Sequence, residues 1–216
     1  MQIVSQPKNS PQLWDKIWAR TPSRFPGSQT LESLYRRLVY FSAFDALLRS
    51  FSLANQSILE LGSGTGANSA YLAQRHGAQS VTLLDFSEGA LERVAIKRFL
   101  CPVTKIQGDL LEFTPKQQYD FVHSTGLIEH FVGAQRQKVV GVHAACVRRG
   151  GLVMIWVPVH SPAFAVIGTL NRLIGIEEIP LTEKELRSLC LQNGLEIIRE
   201  NHSALGAMYG VLARKV

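Results

Sequence analysis

The sequence has no run of five basic residues, no closely spaced cysteines and no long apolar stretch, and each absence removes a class of function. The 216-residue chain carries 23 Lys and Arg against 17 Asp and Glu, a net charge of +6. The basic residues are nevertheless scattered. Their densest groups are Arg36-Arg37, Lys97-Arg98, Arg148-Arg149 and Arg214-Lys215, so no dedicated nucleic-acid tract is present. Cys101, Cys146 and Cys190 lie more than 40 residues apart. Without a C-x-x-C pair, reduced thiols packed as small core residues are expected. No window of 18 apolar residues predicts a transmembrane helix, and the N-terminus lacks the apolar core of a secretory signal. A cytoplasmic protein is the expectation. Repeats and low-complexity tracts are missing too. What remains is a globular composition, 46% hydrophobic and 19% charged, at a length suited to one domain.

Residues 1–52 read as an N-terminal helical cap of that same domain. Trp14 and Trp18 stand one helical turn apart, and Leu31, Leu34, Tyr35, Leu38, Phe41 and Ala46 recur at helical spacing over 31–51. From residue 57 short apolar runs alternate with helical patterns. Strands are predicted at 57–61, 80–84, 103–107, 119–124, 152–157, 195–201 and 207–213. Helices are predicted at 66–76, 88–99 and 133–147, the last stopping at Gly150-Gly151 behind two arginines, and from Thr182 to Asn193-Gly194 with Glu185 as capping-box partner. Continuous apolar strands between helices mean a parallel sheet covered on both faces, an α/β fold. The apolar segment 161–180 breaks this rhythm. It follows the strand end where open α/β sheets bind ligands, and reads as a lid or substrate wall.

Ile58-Leu59-Glu60-Leu61-Gly62-Ser63-Gly64-Thr65-Gly66 is the most informative stretch. Glycine lets the backbone turn through positive φ and approach a ligand closely. Asp85 closes the next apolar run 19 residues after Gly66, the offset at which an acid meets a ribose diol in a nucleotide-binding βαβ unit. The spacing is G-x-G-x-G rather than the dinucleotide G-x-G-x-x-G, which weakens a dehydrogenase reading. Four further segments follow in order: Asp85 itself, Gly108-Asp109-Leu110, Tyr119 to His130, and Arg149-Gly150-Gly151.

Together these segments resemble the class I S-adenosylmethionine-dependent methyltransferases of the small-molecule type, closely over about residues 55–158. The resemblance implies a Rossmann-like, seven-stranded, mostly parallel sheet with helices on both faces and its last strand antiparallel, inserted between strands 5 and 6. It implies S-adenosylmethionine as cofactor and S-adenosylhomocysteine as product. Gly62, Ser63, Gly64 and Gly66 would pass under the methionine and ribose parts. Glu60 would help hold the ammonium group, Asp85 the ribose hydroxyls, Phe86 and Leu110 the adenine ring, Asp109 the adenine amino group, and Ser124 would face the methionine end. His130, with Glu129 beside it, is the candidate for proton removal from the acceptor. His123 is expected to be structural and His143 to lie on a helix surface, while His160, in the loop after strand 5, is a candidate for substrate contact on its position alone. Some members of the family bind a divalent metal through E-x-x-E-H here. Gly126 stands where the first Glu would be, so no metal is expected. Trp14, Trp18, Phe25, Tyr35 and the 161–180 segment suggest a small, apolar or aromatic acceptor methylated on O, N or C. Protein or RNA methylation is the alternative, weakened because Ser124-Thr125-Gly126-Leu127 replaces the Asn/Asp-Pro-Pro-Tyr/Phe motif. A non-catalytic cofactor-binding partner subunit is another.

Overall fold

The computed structural model describes residues 11–20, 40–173 and 175–216. In chain order its elements are α1 (Pro11–Arg20), α2 (Ser42–Leu48), β1 (Ser57–Leu61), α3 (Ala67–His76), β2 (Ser80–Asp85), α4 (Glu88–Glu92), β3 (Val103–Gln107), β4 (Tyr119–Thr125), α5 (Ala134–Cys146), β5 (Val147–Pro158), α6 (Pro162–Leu173), α7 (Glu183–Gln192), β6 (Leu195–His202) and β7 (Met208–Lys215). The seven strands form one sheet in the order β3-β2-β1-β4-β5-β7-β6. The pairs β1–β2, β2–β3, β1–β4 and β4–β5 are parallel, and β7 runs antiparallel to both β5 and β6. This is the Rossmann-like arrangement expected above. Strand order reverses between β1 and β4, so the loops leaving their C-terminal ends diverge and open a crevice.

Both faces of the sheet are buried over its central strands, which is why β1, β2, β4, β5 and β7 are mostly apolar, while the edge strands β3 and β6 are partly exposed and carry polar residues. One face packs Leu59, Val122, Val153 and Ile155 against Val139, Val140 and Leu186 of α5 and α7. The other packs Ile58, Phe121, Met154 and Trp156 against Phe44 and Leu47 of α2 and Leu72 of α3. Arg199 ties α2 to β6 by donating to the Leu47 carbonyl at 2.6 Å, satisfying an orphan oxygen at the helix end.

Several boundaries differ from the sequence reading. The 88–99 helix is one short helix followed by a separate 3-10 turn at Ile96–Arg98. The 133–147 helix ends at Cys146 rather than at Gly150-Gly151, because Val147 already pairs with Tyr119 of β4. Arg148 accordingly pairs with Asp120 at 2.6 Å instead of serving the helix dipole. Thr182 caps α7 by accepting from the Glu185 amide at 3.1 Å, but the Glu185 carboxylate turns to Arg136, leaving half a capping box. Within the described part of the predicted 31–51 helix, residues 42–48 are α-helix. Residues 31–39, with Phe25 and the Trp18 side chain, lie outside the described residues.

Gly210 on β7 faces the fully buried Trp156 ring. A Cβ there would lie closer than 3.0 Å to three ring atoms. Gly210→Ala is expected to lower stability by about 1–3 kcal/mol, read as a lower urea midpoint with an unchanged denaturant slope.

Candidate functional site

A cavity of about 340 Å³ opens at the C-terminal ends of β1, β2 and β4, within the size range of small-molecule sites. From the β1 side it is lined by Gly62, Ser63, Gly64 and Asn68, from β2 and β3 by Asp85, Phe86, Gly108, Asp109, Leu110 and Leu111. From the β4 side come Thr125, Gly126, Leu127, His130, Phe131 and Gln135, and from α1 comes Trp14.

The turn after β1 is held by Asp85. The Gly64 amide donates to its Oδ2 at 2.7 Å, and the Ser87 amide donates to its Oδ1 at 2.9 Å. Each carboxylate oxygen has a second lone pair, so the group can still accept from a ligand. Burial pushes the Asp85 pKa up, the Ser87, Gly64 and Phe86 amides pull it back, and nearby Asp15 adds to the rise. Gly62 sits at φ 65 with Leu127 Cδ1 2.6 Å from where a Cβ would stand, so the turn and the β4 loop meet too closely for a side chain. Asp109 is exposed and accepts from the Leu111 amide at 2.8 Å, which shapes the loop that places Leu110 in the cavity wall.

Three residues expected at the cofactor do not line the cavity. Glu60 lies behind it, accepting from Asn68 Nδ2 and the Ser69 amide, both at 3.3 Å. Asn68, which the sequence reading passed over, is the residue that reaches the wall. Gly66 opens α3 and packs instead, with Leu83 Cδ1 2.6 Å from the position of a Cβ. Ser124 points to α5, where its hydroxyl lies 2.8 Å from His143 Nε2. Thr125 lines the cavity in its place, since successive strand residues face opposite sides. Ser63 Oγ and Thr125 Oγ1 are both buried without a hydrogen-bond partner. Two such hydroxyls beside a carboxylate suit a polar ligand, because leaving them unpaired costs about 1–3 kcal/mol each.

The histidines divide sharply. His143 is fully buried, not on a helix surface as expected, and burial brings its pKa down to about 4. His123 is also fully buried, contacts Ser69 Oγ at 2.9 Å and is lowered to about 3 by burial and by His143. His160 is exposed and does not line the cavity. His130 lines it, with its ring edge-on to Trp14 at 4.9 Å between centroids. Its Nδ1 lies 3.2 Å from the Glu177 carbonyl. Burial lowers its pKa to about 4 against the opposing hydrogen bonds to the Glu177 and Gly126 backbone. Glu129 does not line the cavity. It is 1% exposed, and burial together with Glu178 raises its pKa well above the usual range, Arg136 opposing.

No described residue of 161–180 lines the cavity, where the sequence reading expected a lid or substrate wall. Residues 162–173 form α6, and 175–181 run as a strap behind the 3-10 turn Ile128–His130. The Ile179 amide donates to the Glu129 carbonyl at 3.0 Å, and the Arg136 guanidinium holds the Ile179 carbonyl.

Residues 58–151 match the family model described as a methyltransferase domain. A curated relative from Oryza sativa subsp. japonica, 2-methyl-6-phytyl-1,4-hydroquinone methyltransferase 2, chloroplastic, is 34% identical over 110 residues, half of this chain. The match spans 30% of the rice protein's length. Among solved structures, magnesium protoporphyrin IX methyltransferase from Synechocystis PCC 6803 with bound S-adenosylhomocysteine superposes with a TM-score of 0.68 at 17% identity, over 95% of this chain and 93% of that one. The Burkholderia thailandensis 1,6-didemethyltoxoflavin-N1-methyltransferase, bound to 1,6-didemethyltoxoflavin and S-adenosylhomocysteine, superposes with a TM-score of 0.67 at 16% identity, over 100% and 98%. At these identities the structures carry the fold alone.

The buried histidines generate a pH prediction. His123 and His143 are held neutral in the fold but take up protons below about 6.5 when unfolded. Stability is therefore lost as pH falls from 6.5 towards their folded values, by about 2 kcal/mol per histidine at pH 5. Urea unfolding between pH 8 and 5 is expected to show this loss, and His123→Gln to make it shallower.

Proposed function

We propose that this chain, whose residues 58–151 match a methyltransferase-domain model, is a class I S-adenosylmethionine-dependent methyltransferase and methylates a small, apolar or aromatic acceptor. The observation that carries the reading is the convergence of Asp85 with the two unpartnered hydroxyls, Ser63 and Thr125, on one cavity at the β1–β4 crevice. Cofactor-sized polar ligands are bound by few, well-placed groups in an otherwise apolar wall.

When bound, S-adenosylmethionine supplies an electrophilic methyl group on a sulfonium. The protein's own task is alignment and exclusion of water. Asp85 accepts hydrogen bonds from a ribose diol while its amide contacts hold the Gly62–Gly64 backbone in place. Ser63, Asn68 and Thr125 meet the polar end of the ligand, with Glu60 acting through Asn68. Phe86, Leu110 and Leu111 cover an adenine ring. Asp109 stands at the loop edge, within reach of its amino group. The acceptor then occupies the part of the cavity bounded by Trp14, Leu127, His130 and Phe131. His130 is the proton acceptor for an O–H or N–H nucleophile, neutral across the physiological range because burial keeps its pKa near 4. Glu129 is a positioning residue behind it. The relatives compared above are named for a hydroquinone, a porphyrin and a toxoflavin precursor, all cyclic conjugated molecules that would suit such aromatic walls.

Two measurements test this. Calorimetric titration with S-adenosylhomocysteine is expected to give one site, weakened at least about tenfold by Asp85→Asn, since a charged hydrogen-bonding partner contributes roughly 1.5–3 kcal/mol. Thr125→Val is expected to weaken it less. Absence of binding to the folded wild-type chain refutes the reading. Methyl transfer to a panel of phenols, hydroquinones and heteroaromatic amines is expected to show turnover. Trp14→Ala should raise KM for the acceptor and His130→Asn should lower kcat, both with unchanged affinity for S-adenosylhomocysteine. Binding without turnover on any acceptor favours a non-catalytic cofactor-binding subunit.

A further inference from the structure

We infer that Glu129, His130 and Glu178 form a binding site for a divalent transition-metal cation, Mn2+ or Zn2+. One donor atom from each lies within 4.8 Å of the other two, although Glu178 comes from the strap and the other two from the turn after β4. Glu129 is 1% exposed, and its Oε2 has no hydrogen-bond partner. A buried carboxylate with one oxygen lacking a donor, clustered with a second carboxylate, is poorly accounted for by packing alone. Arg136 is the basic group beside them, and each of its three nitrogens already donates elsewhere, to Glu185 Oε1 at 2.6 Å, the Phe131 carbonyl at 2.7 Å and the Ile179 carbonyl.

The donors are held from outside, as metal ligands are. Asn171 Nδ2 donates to Glu178 Oε2 at 2.9 Å. The Glu177 carbonyl fixes the His130 ring at Nδ1, and the Ile179 amide binds the Glu129 carbonyl. The bridge between Val159 and Leu181 anchors the far end of the strap. Two carboxylates and an imidazole suit Mn2+ or Zn2+ better than Ca2+, which takes six to eight oxygens. Ligand atoms around such a cation stand roughly 3–3.5 Å apart, given bonds of about 2.1 Å, so the side chains must close by about 1 Å on binding. The carboxylate that Gly126 does not supply thus comes from Glu178. A Cβ at Gly126 would stand 3.3 Å from Glu129 Oε1, so even a small side chain there would crowd the cluster. In the loaded site His130 is a ligand, and in the metal-free protein a proton acceptor.

The test uses the full chain stripped with chelator and titrated with MnCl2, free Mn2+ being followed by electron paramagnetic resonance, and with ZnCl2 by calorimetry. One equivalent is expected to bind to the wild type and to raise its Tm. Glu178→Gln and Glu129→Gln are expected to weaken binding at least about tenfold and to abolish the metal-dependent rise, while their metal-free Tm reports that they fold. No saturable binding by the wild type, or unchanged binding by folded Glu178→Gln, overturns the inference. Should Glu129→Gln fail to fold, Glu178→Gln decides alone. Affinity for S-adenosylhomocysteine, measured in parallel, keeps this result separate from the cofactor reading.

Discussion

The Asp85 carboxylate is the contact on which the geometry of the cavity depends. It takes one backbone amide from the turn after β1 and one from the turn after β2, so two loops are tied to one buried group, beside the bond from the Ser63 amide to the Leu84 carbonyl at 3.0 Å. Ser87, positioned by this contact, caps α4 by accepting from the Ala90 amide at 3.1 Å. Its hydroxyl also donates to Asp15 of α1 at 2.5 Å. Asp15 therefore sets where α1 crosses the cavity, and with it where Trp14 meets His130. A single ionisable group at the end of a central strand thus orders the glycine turn, a helix start and part of the cavity wall. Burial raises its pKa, and the amides that it orders favour the ionised form.

The β4 strand sends its last polar residues to different places. His123 and Ser124 lie inside the fold, hydrogen-bonded to Ser69 and His143. Thr125, one step further on, faces the cavity. These pairings satisfy the Ser69 and Ser124 hydroxyls, although His123 Nδ1 is left without a partner; the Thr125 hydroxyl also lacks one, and it borders the cavity. Behind the cavity, the strap over 175–181 leans on the turn carrying Glu129 and His130. An apolar helix, α6, is thereby connected to the site without entering it.

Much of the fold was legible in the sequence because parallel strands must be apolar on both faces and helices must begin and end with recognisable caps. The strand positions agree to within a few residues for all but β5. Its first residues, Val147 to Gly151, read as a helix end because arginine and glycine there match a C-terminal stop. Pairing of Val147 with Tyr119 overrode that local preference. Of the expected cofactor residues, Gly62, Ser63, Gly64, Asp85, Phe86, Asp109 and Leu110 converge on one cavity. Glu60, Gly66 and Ser124 support it from behind. Ser124 was misassigned by one residue, the step that reverses the facing of a strand side chain.

The sequence alone determined the order of strands and helices, the glycine turn and the acid one strand later, because these depend on local periodicity, backbone freedom at glycine and fixed spacing along the chain. It pointed to the strand ends of an α/β sheet, where the structure has its cavity. Only the tertiary structure decided which polar residues are walls and which are supports. That depends on the direction in which each side chain leaves a packed strand. Tertiary structure also decided the company of Glu129 and His130. Glu178 lies in a strap with no motif of its own, and only the fold brings its carboxylate to the strand-4 turn.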